Sequence, residues 1–279
     1  MSYGPKPWIQ LNWDVRAALN FIFGGTGSGF LLLAAFAAVP ERTWQAGMLL
    51  GLALVGLGLL AVWLEIGRKL RAVHVFFNPF TSWMTRESFV AMLLFASGLA
   101  AVALASPRIG ALTAAIGLAF VYCQGRILRA SRGIPAWREP TITWLIFWTG
   151  ISEGAGLFVA LAALTQGEVS APAGGCFVLA VVARGVAWSI YRKRVDADLV
   201  PEARSALDSA GKLLYQSGTI APLALLVAGG AFEDFQTAAA VLAGVAALAT
   251  GWRLKYVLVI KASFNQGFSL PRVPVRGRK

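Results

Sequence analysis

The chain has 279 residues, of which 57% are hydrophobic and only 14% are charged, and its formal net charge is +12. A soluble domain of this length usually has nearer a quarter of charged residues. The composition therefore argues against a soluble enzyme, and the excess of basic residues has to be interpreted from their positions along the chain.

Long apolar blocks with few charges recur along the chain, and blocks of about 18 or more such residues are typical of transmembrane helices. We predict an all-α integral membrane protein, a bundle of eight transmembrane helices that uses residues 1–279 as one domain. A break at Ser106-Pro107-Arg108 separates the third span from the fourth. The predicted spans are about 17–39, 45–66, 88–105, 109–127, 141–165, 174–191, 212–231 and 236–260.

Basic residues are concentrated on one side of this predicted bundle. Of the 25 Lys and Arg residues, all but Arg42, Arg108 and Arg184 fall in the N-terminal segment, the connections after even-numbered spans, or the C-terminal region. The positive-inside rule places that side, and both termini, in the cytoplasm. The net charge therefore marks a membrane face that can hold anionic lipid head groups or an acidic partner, and it does not indicate nucleic-acid binding.

The first predicted span contains the glycine-rich run NFIFGGTGSG at 20–29. A phosphate-binding loop needs a preceding strand or a terminal Gly-Lys-Ser/Thr, and neither is present. Gly25 and Gly29 are four residues apart, which favours close packing of helices in the bilayer. Asn20, one turn earlier, is interpreted either as a helix–helix hydrogen bonder or as a ligand contact.

The connection between the second and third spans is about twenty residues long and amphipathic, so we expect it to lie along the membrane interface. It is bounded by Glu65 and Glu87, and Ser82 or Thr85 is expected to cap the following helix. A simple link between two helices needs only a few residues. The length and the alternation of aromatic and basic residues therefore indicate a functional segment.

Two motifs in this connection carry a family resemblance. The pattern Gly-Arg-x-x-Arg-Ala at 67–72, followed by Thr-Ser-Trp-x-x-Arg-Glu at 81–87, resembles the membrane anchors of molybdopterin oxidoreductases. The similarity is to dimethyl sulfoxide reductase anchors and, more broadly, to polysulfide reductase (NrfD-type) anchors, whose first span is also glycine-rich.

This resemblance implies partners and a cofactor. The anchor would lie in a bacterial or archaeal cytoplasmic membrane and bind a quinone, either menaquinone or ubiquinone. A ferredoxin-like iron–sulfur subunit would dock on its cytoplasmic face and exchange electrons with a molybdenum or tungsten bis-pterin catalytic subunit. The run MSYGPKPWIQLNWDVRAALNFIFGG and the run FFNPFTSWMTRE are similar to anchors of phenylacetyl-CoA:acceptor oxidoreductase. A sulfite dehydrogenase anchor of the same family is the alternative.

The resemblance also implies roles for single residues. Glu65 stands where the dimethyl sulfoxide reductase anchor has a histidine implicated in quinol chemistry, and Glu87 aligns with a glutamate that is implicated in it too. Lys69 departs from the family pattern, because a proline is common at that position. A carboxylate at position 65 can still exchange a proton, and His74, the only histidine, is the other source of a titratable group nearby.

Quinone exchange moves two electrons and two protons, so it requires titratable groups together with hydrogen-bond donors. The predicted titratable, catalytic group of residues is Glu65, His74 and Glu87. The predicted quinone-binding residues are Asn20, Arg68, Arg71, Asn78, Trp83 and Arg86. One histidine and two cysteines are too few for a bis-histidine haem or a four-cysteine iron–sulfur cluster, so no metal is expected in this chain.

Charged residues inside predicted spans offer a rival interpretation. Glu153 and Arg184 are expensive in lipid, and we expect them to pair with each other or to line a polar cavity. A secondary transporter with a midplane Glu153/Arg184 site is therefore an alternative function, as is an anchor without a quinone site. Gln124 and Arg126 are weaker polar candidates, and Arg253 and Lys255 are expected to extend towards the interface.

Overall fold

The computed structural model describes residues 6–268, and within that range it contains no β-strand longer than an isolated bridge. Eight helices are long and apolar enough to cross a membrane. This confirms the predicted all-α bundle of eight spans. The basic residues predicted for the C-terminal tail, 269–279, lie outside the described residues. The spans are α1 Val15–Ala34, α2 Glu41–Glu65, α3 Trp83–Ala103, α4 Pro107–Ala130, α5 Ile142–Gln166, α6 Ala171–Val195, α7 Pro201–Ala231 and α8 Gln236–Lys261.

Local sequence signals set several of the helix ends. The Asp14 carboxylate caps α1 by accepting a hydrogen bond from the backbone N–H of Arg16 at 2.7 Å. The Ser82 hydroxyl caps α3 by accepting from the N–H of Thr85 at 3.3 Å, as predicted. α5 ends at Gly167, whose φ of +76° is the left-handed conformation that glycine adopts without a steric penalty.

Among the helix starts, two differ most from the predicted bounds. α3 starts at Trp83 rather than at about 88, because the Ser82 cap precedes its first apolar residues. α7 starts at Pro201 rather than at about 212, because its first turns are amphipathic and do not register as an apolar block. α7 also contains a π-helical turn at Gln216–Ile220, and a second one, Val257–Lys261, ends α8.

α1 is the most enclosed span, with 83% of its apolar window buried against 28% for α3. Its glycines explain how neighbouring helices approach so closely. A Cβ on Gly27 would lie 2.6 Å from the Gly51 carbonyl oxygen of α2, and one on Gly29 would lie 2.8 Å from the Ile151 Cα of α5. The prediction of close helix packing around this run is therefore confirmed.

The two ends of the described chain meet at the basic end of the bundle. Ile9 and Phe264 form an antiparallel bridge, and the Gln10 N–H donates to the Ser263 carbonyl at 3.0 Å. Trp13 stacks on Trp137 with ring centroids 4.9 Å apart. The N-terminal segment is thus tied across the end of the bundle where the connection between α2 and α3 also lies.

Candidate functional site

A buried polar cluster joins α1, α3 and α4 near the basic end. The Asn20 side-chain amide lies 3.4 Å from Glu87 Oε1, and the Gln124 amide donates to the Asn20 backbone carbonyl at 2.8 Å. Asn20 and Gln124 are buried, and Glu87 is only 5% exposed. The structure therefore brings together two predicted site residues, Asn20 and Glu87, and adds Gln124 to them.

This cluster has unused hydrogen-bonding capacity. The Asn20 Oδ1 and Gln124 Oε1 atoms are buried and have no hydrogen-bond partner among residues 6–268. A Cβ on Gly24, one turn along α1, would lie 2.9 Å from Phe120 and would also strike the Gln124 amide. Gly24 thus allows Gln124 to reach α1. Two acceptors without partners beside a carboxylate form a site that can receive hydroxyl donors.

Trp83 lies beside this cluster, at the first position of α3, between two arginines. The guanidinium of Arg86 is 4.3 Å from the Trp83 ring and that of Arg126 is 4.2 Å from it. Arg86 also donates to the backbone carbonyls of Pro79 at 2.9 Å and Phe80 at 2.6 Å. Arg86 therefore orders the end of the α2–α3 connection as well as stacking on Trp83.

The connection itself folds as a 3-10 helix, Lys69–Phe77, with none of its residues fully buried. His74 is exposed, its Nδ1 lies 3.1 Å from the Arg71 carbonyl, and its ring packs edge-on against Phe77. Three further predicted site residues are exposed in or beside this segment, namely Arg68, Arg71 and Asn78.

Glu65, at the end of α2, contacts the N-terminal segment instead. Its Oε1 lies 3.4 Å from the Asp14 N–H, and Arg16 donates to the neighbouring Leu64 carbonyl at 2.7 Å. The hydrogen bonds that Arg16 donates hold the pKa of the exposed Asp14 carboxyl below its ordinary value. Within the described part of the chain, no hydrogen bond or ion pair connects Glu65 or His74 with Glu87. The structure therefore does not place the three predicted titratable groups in direct contact.

The charged residues inside the bundle are arranged differently from our expectation. Glu153 pairs with Lys255, whose Nζ is 2.6 Å from Glu153 Oε2 and 2.7 Å from the Phe21 carbonyl, and both side chains are 0% exposed. Arg184 instead donates to the backbone carbonyls of Ala247, at 2.8 Å, and Gly218. The predicted Glu153–Arg184 pairing is wrong.

The expectation that Lys255 extends to the interface is also wrong, and glycines give the physical reason. A Cβ on Gly25 of α1 would strike Lys255 Nζ, and one on Gly251, one turn before Lys255, would lie 2.6 Å from Glu153 Cγ. These glycines leave the volume in which the two charged side chains meet. Arg253 is exposed as expected, because it lies about 200° from Lys255 around the helix.

Two buried residues, Gln124 and Lys255, thus have only a weak signal in the sequence. Gln124 is nearly two turns from the basic end of α4 and faces Gly24, so the glycine of the partner helix is the available signal. Among residues 6–268, no three His, Cys, Asp or Glu side chains are placed so that they could hold a metal ion together.

Comparison with known proteins identifies the family. The model of the family described as DMSO reductase anchor subunit (DmsC) matches residues 18–228, a range that runs from α1 into α7 and includes Asn20, Glu87 and Gln124. A comparison with curated proteins finds no match. The match covers most of the chain and confirms the resemblance seen in the α2–α3 connection. The chain therefore belongs to the family of DMSO reductase anchor subunits (DmsC), the membrane anchors of molybdopterin oxidoreductase complexes.

Proposed function

We propose that this chain is the membrane anchor and quinone-reactive subunit of a molybdenum or tungsten bis-pterin oxidoreductase that faces the cytoplasm. It would pass electrons between a docked ferredoxin-like iron–sulfur subunit and a membrane quinone. The observation that carries the proposal is the buried Asn20–Glu87 contact, with two acceptor atoms beside it that have no described partner. Family membership supports the anchor role.

The chemistry of the cluster fits a quinone in its reduced form. A bound quinone would supply the quinone/quinol redox couple, which exchanges two electrons and two protons. Asn20 Oδ1 and Gln124 Oε1 are acceptors, and a quinol presents two hydroxyl donors that such acceptors can hold. The Glu87 carboxylate can take a proton from a hydroxyl and return it, as general acid–base catalysis requires. The residues present therefore fit the group that the family implies.

The neighbouring residues have different proposed tasks. Trp83, stacked against Arg86 and Arg126, holds these two cationic donors next to the polar cluster. Glu65 and His74 lie at the same end of the bundle but outside the cluster, so we assign them to proton exchange with the surface. Arg68, Arg71 and Asn78 are exposed beside them and would hold the docked partner or the quinone head group.

The orientation of the chain follows from its charge. The connections at the α1 N-terminal end hold nearly all the described Lys and Arg residues, and Arg42 and Arg108 lie in the first turns of α2 and α4 at the other end. The positive-inside rule then supports a cytoplasmic location for the basic end and for the docking surface. The finer proposal is a complex that oxidises phenylacetyl-CoA, supported by the similarity of the runs up to residue 25 and at 76–87.

The proposal is tested with the variant Glu87→Gln and the matched control Glu202→Gln, an exposed glutamate in the first turn of α7 at the same end. Membranes that contain each variant complex are titrated with a hydroxyquinoline N-oxide, a fluorescent quinol analogue. We expect normal quenching for the control and a tenfold or greater loss of affinity for Glu87→Gln. Equal binding by both variants would refute the assignment of Glu87.

A second measurement separates quinone chemistry from assembly. The complex is purified in mild detergent, its subunits are identified by mass spectrometry, and turnover is measured with a soluble quinone and with a dye that reacts with the partner subunits. Loss of a proton-transfer group costs about 10²–10⁴-fold in rate. Glu87→Gln should therefore lose quinone turnover and keep dye turnover. A chain that purifies without partners would refute the anchor role itself.

A further inference from the structure

A cavity of about 800 Å³ opens at the basic end between the end of α4, the connection from α4 to α5, the start of α3 and the end of α6. Four arginines line it, together with Trp83 and two carboxylates, and the arginines are Arg126, Arg129, Arg132 and Arg138. The two carboxylates are Glu139 and Asp198, so the lining has an excess of two positive charges. The cavity therefore has the electrostatic character of an anion site.

Most of these arginines are not neutralised by the protein. Asp198 is paired with Arg138 at 2.8 Å, and the Glu139 carboxylate accepts from the Thr141 hydroxyl at 3.1 Å. Among residues 6–268, Arg126, Arg129 and Arg132 form no ion pair. The Nε of Arg126 is buried and lacks a hydrogen-bond partner. Three guanidinium groups that line one cavity and are not paired with a carboxylate are suited to bind a phosphate.

An apolar groove of about 300 Å³ begins where the basic cavity ends. Pro140 lines the cavity, and the next residue, Thr141, lines the groove. The groove then follows Trp144 and Trp148 down α5, and α6 forms its other wall. A series of aromatic rings connects the two sites, since Tyr122 lies 6.1 Å from Trp83 and 5.9 Å from Trp144.

We propose that these two adjoining sites bind one anionic phospholipid, with its phosphate among the arginines of the cavity and an acyl chain in the α5–α6 groove. The arrangement of a basic head site at the membrane boundary followed by an apolar groove matches the chemistry of such a lipid. A quinone head group is uncharged and would leave the excess of two positive charges unbalanced. The inference rests on these cavities and not on the proposed quinone chemistry at Glu87.

The head site is tested with the double variant Arg129→Gln/Arg132→Gln, which leaves Arg126 on Trp83 in place. The matched control is Lys193→Gln/Arg253→Gln, which removes two exposed charges at the same end of the bundle. The complex is purified in a neutral detergent and titrated with diphosphatidylglycerol, phosphatidylglycerol or phosphatidylcholine, and bound lipid is counted by native mass spectrometry. Each basic residue near a membrane surface is worth about fivefold in affinity for anionic lipid. We therefore expect about 25-fold weaker retention of the anionic lipids in the test variant and unchanged retention in the control.

The tail site is tested with Ala187→Phe, which places a ring in the groove against Trp144 and Trp148. We expect it to weaken retention of diphosphatidylglycerol while inorganic phosphate, added as a competitor, has little effect. The proposal is overturned if phosphatidylcholine binds as well as the anionic lipids or if the control variant loses as much lipid as the test variant. It is also overturned if inorganic phosphate alone displaces the lipid and Ala187→Phe changes nothing, since the site would then recognise free phosphate. Circular dichroism of each variant confirms that the helices are intact.

Discussion

The buried ion pair between Glu153 and Lys255 provides the sharpest test of the packing described for α1, α5 and α8. Both side chains are 0% exposed, and Lys255 Nζ also donates to the Phe21 carbonyl of α1 at 2.7 Å. Removal of one partner leaves an uncompensated charge in a medium of low polarity. Breaking a buried pair in this way costs about 3–5 kcal/mol.

We expect Lys255→Met to lower the free energy of unfolding by about 3–5 kcal/mol, because the Thr26 hydroxyl, 3.0 Å away, is then the one hydrogen-bond donor left to the Glu153 carboxylate among residues 6–268. Glu153→Gln should cost at least as much, since Lys255 and Arg184 then share a buried region without any anion. The double variant Glu153→Gln/Lys255→Met removes both members and should recover most of the loss. Replacing a whole buried pair is often close to neutral.

The assay is equilibrium unfolding of the purified chain by sodium dodecyl sulfate in mixed micelles, followed by tryptophan fluorescence. Lys193→Met, at an exposed position of α6, is the matched control and should change stability by no more than about 0.5 kcal/mol. Additive single-variant losses, or single losses below about 1 kcal/mol, would show that the two side chains do not pair. The position of α8 against α1 would then have to be revised.

Two further predictions concern packing and orientation. Gly29→Ile should destabilise the chain by about 3 kcal/mol or prevent its accumulation, because the new side chain meets the backbone of α5, which cannot move aside. The control Gly175→Ala has open space at its Cβ and should behave as the wild type. Equal expression of both variants would contradict the α1–α5 contact. In a cysteine-free background, a membrane-impermeant maleimide should label Ser170→Cys in spheroplasts and Gly133→Cys only after lysis. The reverse labelling would place the basic end outside the cytoplasm.

The eight spans could be predicted because hydropathy blocks and helix caps are local properties of the sequence. Pairing of side chains between spans could not, because it depends on how each helix is rotated in the bundle. Arg253 and Lys255 show this limit, since they are two residues apart near the same helix end, yet one is exposed and the other is fully buried. Gly25 of α1 faces Lys255 and Gly251 of α8 faces Glu153, and only the three-dimensional arrangement shows which cation occupies the space between them.

The candidate site shows the same division between local and long-range information. The sequence identifies Asn20 as a polar residue near the end of a span, and the family resemblance implies a role for Glu87. Their contact crosses 67 positions of sequence and requires α1 and α3 to be neighbours at the basic end. Gln124 joins them only because Gly24 lets it reach α1. The family match covers the positions of these three residues, whereas their contacts come from the structure.

The enclosure of α1 has a consequence for biosynthesis. Among the eight described spans α1 is made before the others, but its polar positions Asn20 and Thr26 are covered by helices that are made later, and Lys255, which completes the charge pair beside it, arrives with α8. α1 is therefore made before the helices that bury its polar positions. A nascent chain that stops short of α8 holds Glu153 in the bilayer without its cation, a defect that membrane quality-control proteases can detect before any partner subunit docks.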